Sequence, residues 1–216
     1  MFHFKIFEQM KNIIFDLGNV IIDIDFDLTF REFSKLSSKY SWKEIRYFIK
    51  EKCIWEDYEK GITNDEKFRE TLRNELKIKA SDAELDNAFC ALLQNIQLER
   101  IELLQKLAKN HHLFILSNTS NIHFQQVEKL LYESSGIKHF SEIFEKIFLS
   151  FEMGKLKPEV EIYQQVLKEA NLHSYETLFL DDMLTNLEAA ATLGIQTKQI
   201  IPNQFTIIDF FNNNEI

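Results

Sequence analysis

Several polar residues in this chain follow directly on short apolar runs. Asp16 follows Ile13-Ile14-Phe15, Ser117 and Asn118 follow Leu113-Phe114-Ile115-Leu116, and Asp181-Asp182 follow Leu178-Phe179-Leu180. Adjacent carboxylates repel one another unless a cation binds between them. Hard oxygen donors of this kind suit magnesium, which takes one or two protein carboxylates and completes its shell with phosphate and water. The Ser117 hydroxyl and an Asn118 amide N–H can donate to phosphate oxygens. Lys157, in Gly154-Lys155-Leu156-Lys157-Pro158, can supply the positive charge that the equatorial oxygens of a transferring phosphoryl group require. A lone Asp16 would read as a turn former after a core strand. Its company at the other strand ends makes it a candidate for chemistry.

The elements that must position these residues alternate. Residues 13–15, 113–116, 147–150, 178–180 and 195–201 read as strands, the first buried on both faces. Helical periodicity covers residues 98–109, 121–132 and 158–170, with Pro158 expected at the first helical position. A further helix is predicted to start near Thr185, capped with Glu188, and to stop at Gly194. An amphipathic segment lies around residues 205–211. Alternation of this kind predicts an α/β fold, a parallel sheet with helices on both faces. In such a sheet Asp16, Ser117, Asn118, Asp181 and Asp182 converge beyond the carboxyl edge, where ligands bind.

Between residues 26 and 96 the character changes to helix with no convincing strand. Ser41 with Glu44, Thr63 with Glu66, and Ser81 with Glu84 read as capping boxes, and the stripes behind them are apolar. The region is expected to be an inserted helical bundle, with residues 1–25 and 97–216 forming the core. Trp42, Tyr47, Trp55 and Tyr58 are assigned to packing.

At 216 residues and 45% hydrophobic, with 20 Phe but only 5 Gly and 2 Pro, the chain can bury a large core and carries no repeat or linker. A net charge of −9 has the wrong sign for general affinity to nucleic acid or an anionic membrane. Two cysteines, Cys53 and Cys90, exclude a disulfide scaffold and point to a reducing cytoplasm. No run reaches transmembrane length, and residues 1–9 read as an extension with little role ahead of Met10. The six histidines lack metal-ligand spacing and are read as structural or surface groups.

In order along the chain, Phe15-Asp16-Leu17-Gly18-Asn19-Val20, Leu116-Ser117-Asn118-Thr119, Gly154-Lys155-Leu156-Lys157-Pro158 and Leu180-Asp181-Asp182 with Asn186 resemble the four motifs of the haloacid dehalogenase superfamily. The resemblance spans nearly the whole chain. It implies a Rossmann-like core with a helical cap after the first strand. It further implies that Asp16 attacks a phosphoryl group to form an aspartyl phosphate, and that Ser117, Asn118 and Lys157 bind phosphate. Asp16, the Gly18 carbonyl and Asp182 would hold magnesium. Asp181 and Asn186 are expected to orient these groups, and Lys155 to be solvated. The implied substrate is a small phosphate ester, and the chain is expected to act as a monomer or weak homodimer.

One departure stands out. Most phosphatases of the superfamily carry a second Asp two residues after the nucleophile as general acid; here it is Gly18. Either Asp23 or Asp25 replaces it, or the leaving group is acidic enough to do without; both residues also read as carboxylates on a solvated connector. The stretch from Phe15 to Asp25 resembles sugar phosphatases that include α-D-glucose-1-phosphate phosphatases, and an anomeric hydroxyl would leave more easily than an ordinary alcohol. The competing readings are a phosphate-binding or regulatory protein that has lost turnover and, less favoured because Asp181-Asp182 are present, a 2-haloacid dehalogenase.

Overall fold

Side chains of β1 (Asn12–Phe15) alternate between two apolar clusters, Ile13 and Phe15 on one side and Ile14 on the other. The same division holds in β4 (His112–Ser117) and β6 (Thr177–Asp181). This two-sided burial is why these strands read as unbroken hydrophobic runs. With β5 (Lys146–Leu149) and β7 (Gln196–Gln199) they form a parallel five-stranded sheet in the order β5-β4-β1-β6-β7. The structure, a computed structural model, describes residues 10–213. The extension at residues 1–9 lies outside them.

Successive connections step from β1 to β4 and β5 on one side, then back across to β6 and β7 on the other. The switch point therefore lies at β1, with β4 and β6 as its neighbours. Five helices cover the sheet: α6 (Leu98–Leu107), α7 (Asn121–Ser135), α9 (Val160–Glu169), α10 (Leu184–Ala191) and α11 (Ile207–Asn212). A single turn, α8 (Ser150–Met153), follows β5. Among the described residues no helix is long and apolar enough to cross a membrane.

Between β1 and α6 the chain builds α1 (Phe26–Leu36), α2 (Trp42–Glu51), α3 (Ile54–Glu59), α4 (Asp65–Leu76) and α5 (Asp82–Phe89). They enclose their own apolar cluster, centred on Phe33, Tyr58, Phe68 and Phe89. Tyr58 stacks on Phe68 at 4.1 Å. Its hydroxyl donates to Asp65 and accepts from the Ile122 N–H, while Asn121 Nδ2 donates to the other Asp65 oxygen, which joins the insert to α7.

Several local expectations are corrected. Residues 93–96 form a strand, β3 (Leu93–Ile96), paired antiparallel with β2 (Ile22–Ile24). This ribbon carries the chain into and out of the insert. Asn64, not Thr63, caps α4, accepting from the Lys67 N–H. Helix α10 begins at Leu184 after Met183, so Thr185 lies inside it. Pro158 follows a cis peptide bond at Lys157, ahead of α9 rather than at its first position. Of the aromatics assigned to packing, Tyr47 is instead solvent-exposed, whereas Tyr58 is core and Trp42 and Trp55 pack against the same cluster.

Among the described residues, His123 is the one imidazole of the expected surface or structural set that is buried. It stacks on Phe89 at 3.8 Å and meets the Phe89 carbonyl through Nε2 at 3.1 Å. Burial holds its pKa down near 4, against 6.5 in an open chain. As pH falls below about 6.5 the unfolded chain takes up a proton that the folded one refuses. This contribution is therefore absent above that pH and destabilises by up to about 3 kcal/mol as pH reaches 4. Urea unfolding at pH 7 and pH 4.5 should show a smaller acid loss in His123→Gln than in the wild type; equal losses would refute this assignment.

Candidate active site

Asp16 is the first residue after β1, and its N–H still donates to the Leu180 carbonyl across the sheet at 2.9 Å. Its Oδ1 accepts from the Leu17 N–H at 2.7 Å. The turn that follows needs a left-handed residue, and Asn19 supplies it with φ 58. Asn19 Nδ2 then donates to Asp182 Oδ2 at 2.9 Å, tying the first turn to the end of β6.

Lys157 Nζ sits 2.8 Å from Asp16 Oδ1 and 2.7 Å from Asp181 Oδ2, with its side chain 1% exposed. Asn118 holds the lysine in place from β4: its Nδ2 donates to the Lys157 carbonyl at 2.9 Å, and its Oδ1 accepts from the Lys157 N–H at 2.8 Å. Asp181 is wholly buried and also accepts from the Met183 N–H and from Asn186 Nδ2. Buried polar groups are costly unless bonded, and here Asp181 has partners at both oxygens. Ser117, at the last position of β4, is buried, its hydroxyl making only a 3.4 Å contact with the Asn118 carbonyl.

Oxygens of Asp16, Asp181 and Asp182 lie within 4.8 Å of one another. Burial pushes the Asp16 carboxyl up to about 7, with Asp181 and Asp182 adding to the rise and Lys157 opposing it. Asp182 is raised as well, chiefly by burial. Burial works against the Lys157 charge, but Asp16 and Asp181 more than offset it and its pKa is raised. Three carboxylates here share a single ammonium. The cluster is short of positive charge, which a divalent ion with a preference for oxygen donors supplies.

The structure brings Asp16, Ser117, Asn118, Lys157, Asp181, Asp182 and Asn186 together at the switch point. It places the two candidate replacement acids elsewhere. Asp23 pairs with the buried Arg100 at 2.8 Å, and Asp25 caps α1 by accepting from the Asp27 N–H. Lys155 is partly buried rather than solvated, and donates to Gln165 on α9.

A family model described as "haloacid dehalogenase-like hydrolase" matches residues 13–200. The chain belongs to the haloacid dehalogenase-like hydrolases. Within that family it is 28% identical over 191 residues to a D-ribitol-5-phosphate phosphatase of Bacteroides thetaiotaomicron, covering 88% of this chain and 92% of that one. It is also 25% identical to a sesquiterpene phosphatase of Aspergillus oryzae over 86% of this chain and 87% of its relative. Among solved structures, a haloacid dehalogenase family enzyme of Bacteroides thetaiotaomicron in complex with magnesium and inorganic phosphate superposes with a TM-score of 0.81 at 32% identity, covering 90% of this chain and 96% of that one.

In this haloacid dehalogenase-like hydrolase several residues at the site went unrecognised in the sequence. Asn19 lay within the first motif, and its left-handed turn was the available signal. Ser150 is fully buried at the start of α8, where its Oγ accepts from the Thr119 N–H at 2.9 Å and lies 2.6 Å from the Glu59 carbonyl. Trp55 and Glu59, on α3, line a cavity of about 50 Å³ together with Gly18, Ser117 and Asn118.

Proposed function

We propose that this chain is a magnesium-dependent phosphatase acting on a phosphorylated sugar or sugar alcohol through an aspartyl phosphate on Asp16. The observation that carries this reading is the buried cluster in which Lys157 bridges Asp16 and Asp181 beside Asp182. A simple anion-binding pocket would have no use for three carboxylates, whereas phosphoryl transfer to a carboxylate needs one acid as nucleophile and others to hold a cation.

Asp16, the Gly18 carbonyl and Asp182 would hold magnesium, which when bound offsets the charge of the phosphoryl group against the acids. Asp16 attacks phosphorus. Lys157 orients Asp16 and faces the charge that develops on the equatorial oxygens. The Ser117 hydroxyl donates to a phosphate oxygen. The Asn118 side chain is occupied with the Lys157 backbone, so Asn118 contributes its main-chain N–H. Asp181 and Asn186 keep Lys157 in position from below. The insert serves as a cap: the cavity of about 50 Å³ beneath it is far smaller than the roughly 300 Å³ of a small-molecule site, so the cap moves to admit the substrate and then limits the entry of water.

The relatives named as phosphatases support a phosphate ester, and the match to a ribitol-5-phosphate phosphatase supports a small polyol or sugar. A reducing cytoplasm suits the two free thiols, Cys53 and Cys90. The test is phosphate release from sugar 1-phosphates, sugar 6-phosphates, alditol 5-phosphates and 4-nitrophenyl phosphate, with magnesium or with a chelator. Release that requires magnesium and favours sugar or alditol esters is expected. No release from any ester would overturn the phosphatase reading, and no gain for 1-phosphates over 6-phosphates would sink the glucose-1-phosphate assignment.

A further inference from the structure

Gly18 leaves the phosphoryl end of the site without a proton donor, and the tip of the Ile24 side chain fills the space beside it, its Cδ1 2.9 Å from where a Cβ would stand. A carboxyl does reach the same cavity from the opposite wall. Helix α3 ends at Glu59, whose Oε1 accepts from the Trp55 indole N–H one turn earlier at 2.8 Å, leaving Oε2 for a second partner. The chain beyond is fastened to the core. The Glu59 carbonyl meets Ser150 Oγ, Lys60 pairs with Glu159 at 2.7 Å, and Gly61 has φ +70 with its α-carbon so close to α8 that a Cβ would lie 2.2 Å from the Phe151 carbonyl oxygen. No residue with a side chain can make that approach.

Glu59 borders two spaces at once. One is the small cavity over Gly18, Ser117 and Asn118; the other is a wider cleft of about 340 Å³ walled by Phe26, Phe30 and Arg46. The first, with Gly18, Ser117 and Asn118 in its wall, adjoins the phosphoryl end of the site, and the second has room for the alcohol part of an ester. The bridging oxygen therefore lies at their junction, beside Glu59. On the phosphatase reading above, we infer that Glu59 is the general acid that protonates the leaving alcohol and then the general base that deprotonates the attacking water.

As the Asp16 oxygen bonds to phosphorus, the bridging P–O bond breaks and the Glu59 proton passes to the departing oxygen. Water then attacks phosphorus, its proton returns to the Glu59 carboxylate, and the bond to Asp16 breaks to release phosphate. The environment suits both halves. Glu59 is partly buried, and burial pushes its carboxyl up to about 7, with the Trp55 N–H and the Lys157 ammonium opposing and Glu56 adding to the rise. A value close to working pH lets one group give and retake a proton.

Wild type and Glu59→Gln are compared in magnesium on sugar and alditol phosphates and on 4-nitrophenyl phosphate, whose phenolate departs without a proton. Glu59→Gln is expected to lose about 10²-fold in kcat/KM on the alkyl esters and less than about threefold on the aryl ester. Glu59→Asp, which keeps the carboxyl, should recover part of the alkyl-ester rate, and decides the matter if the glutamine variant folds poorly. Equal losses on both ester types in both variants, or no loss on either, would overturn the inference. A wild type silent on every ester would bring down the phosphatase reading itself, whereas an active wild type with an indifferent Glu59→Gln brings down only the role of Glu59.

Discussion

Asp16→Asn is expected to lower phosphate release by about 10⁴-fold or more on every ester, activated ones included, because no leaving-group chemistry compensates for a missing nucleophile. The asparagine matches the aspartate in shape and keeps an oxygen to accept from the Leu17 N–H, so the loss is chemical. Stability should move the other way. In the folded chain the Asp16 carboxyl titrates near 7, against 3.8 when unfolded. Ionisation therefore penalises the folded state once pH rises above the unfolded value, and fully so above about 7. Without divalent ions at pH 8, Asp16→Asn should unfold at higher urea than wild type. Turnover within tenfold of wild type would remove Asp16 from its proposed role.

Lys157→Met should combine a comparable loss of activity with a loss of stability. Its ammonium is the shared partner of Asp16 and Asp181, and both the lysine and Asp181 are almost completely withdrawn from water. Removing one partner of a buried pair typically costs about 3–5 kcal/mol, since the remaining charge is left without compensation. In a chain of this size that is a fall of about 10 °C in Tm. Adding Asp181→Asn to Lys157→Met should restore much of the stability and none of the activity, because it removes the uncompensated charge without restoring a cation to the site. If Lys157→Met leaves Tm unchanged, the buried ion pair does not hold the site together.

That Asp16, Ser117, Asn118, Asp181 and Asp182 come together was legible in the sequence because each follows an apolar run, and strand ends in a parallel sheet share an edge. Ile13-Ile14-Phe15 before Asp16 and Leu178-Phe179-Leu180 before Asp181 needed only local periodicity and the rule of alternation. What escaped depended on contacts far away in the chain. Asp23 looked as available as any connector carboxylate until Arg100 on α6 claimed it. Leu93–Ile96 continued a helical stripe and became a strand only because Ile22–Ile24 lies beside it. Glu59 is one of many glutamates on amphipathic helices, and nothing local marks which of them faces inward; Gly61 and its close approach to Phe151 decide that. Pro158 fitted a helix start by composition, but Asn118 fixes the Lys157 backbone outside the helix.

The β2–β3 ribbon brings the two ends of the insert side by side. The chain leaves the core and returns along antiparallel neighbours, and at the threshold the Asp25 N–H donates to the Leu92 carbonyl at 2.9 Å. Everything between those two residues begins and ends at one doorway, so lengthening, shortening or replacing it leaves the register of β1 with β4 and β6 unaltered. Asp16, Lys157 and the β6 acids can then stay in place while the walls that meet the alcohol are rebuilt. Substrate range is thereby set on one stretch of a single gene and the nucleophile with its partners on another, and Glu59 is the point at which the two must stay matched.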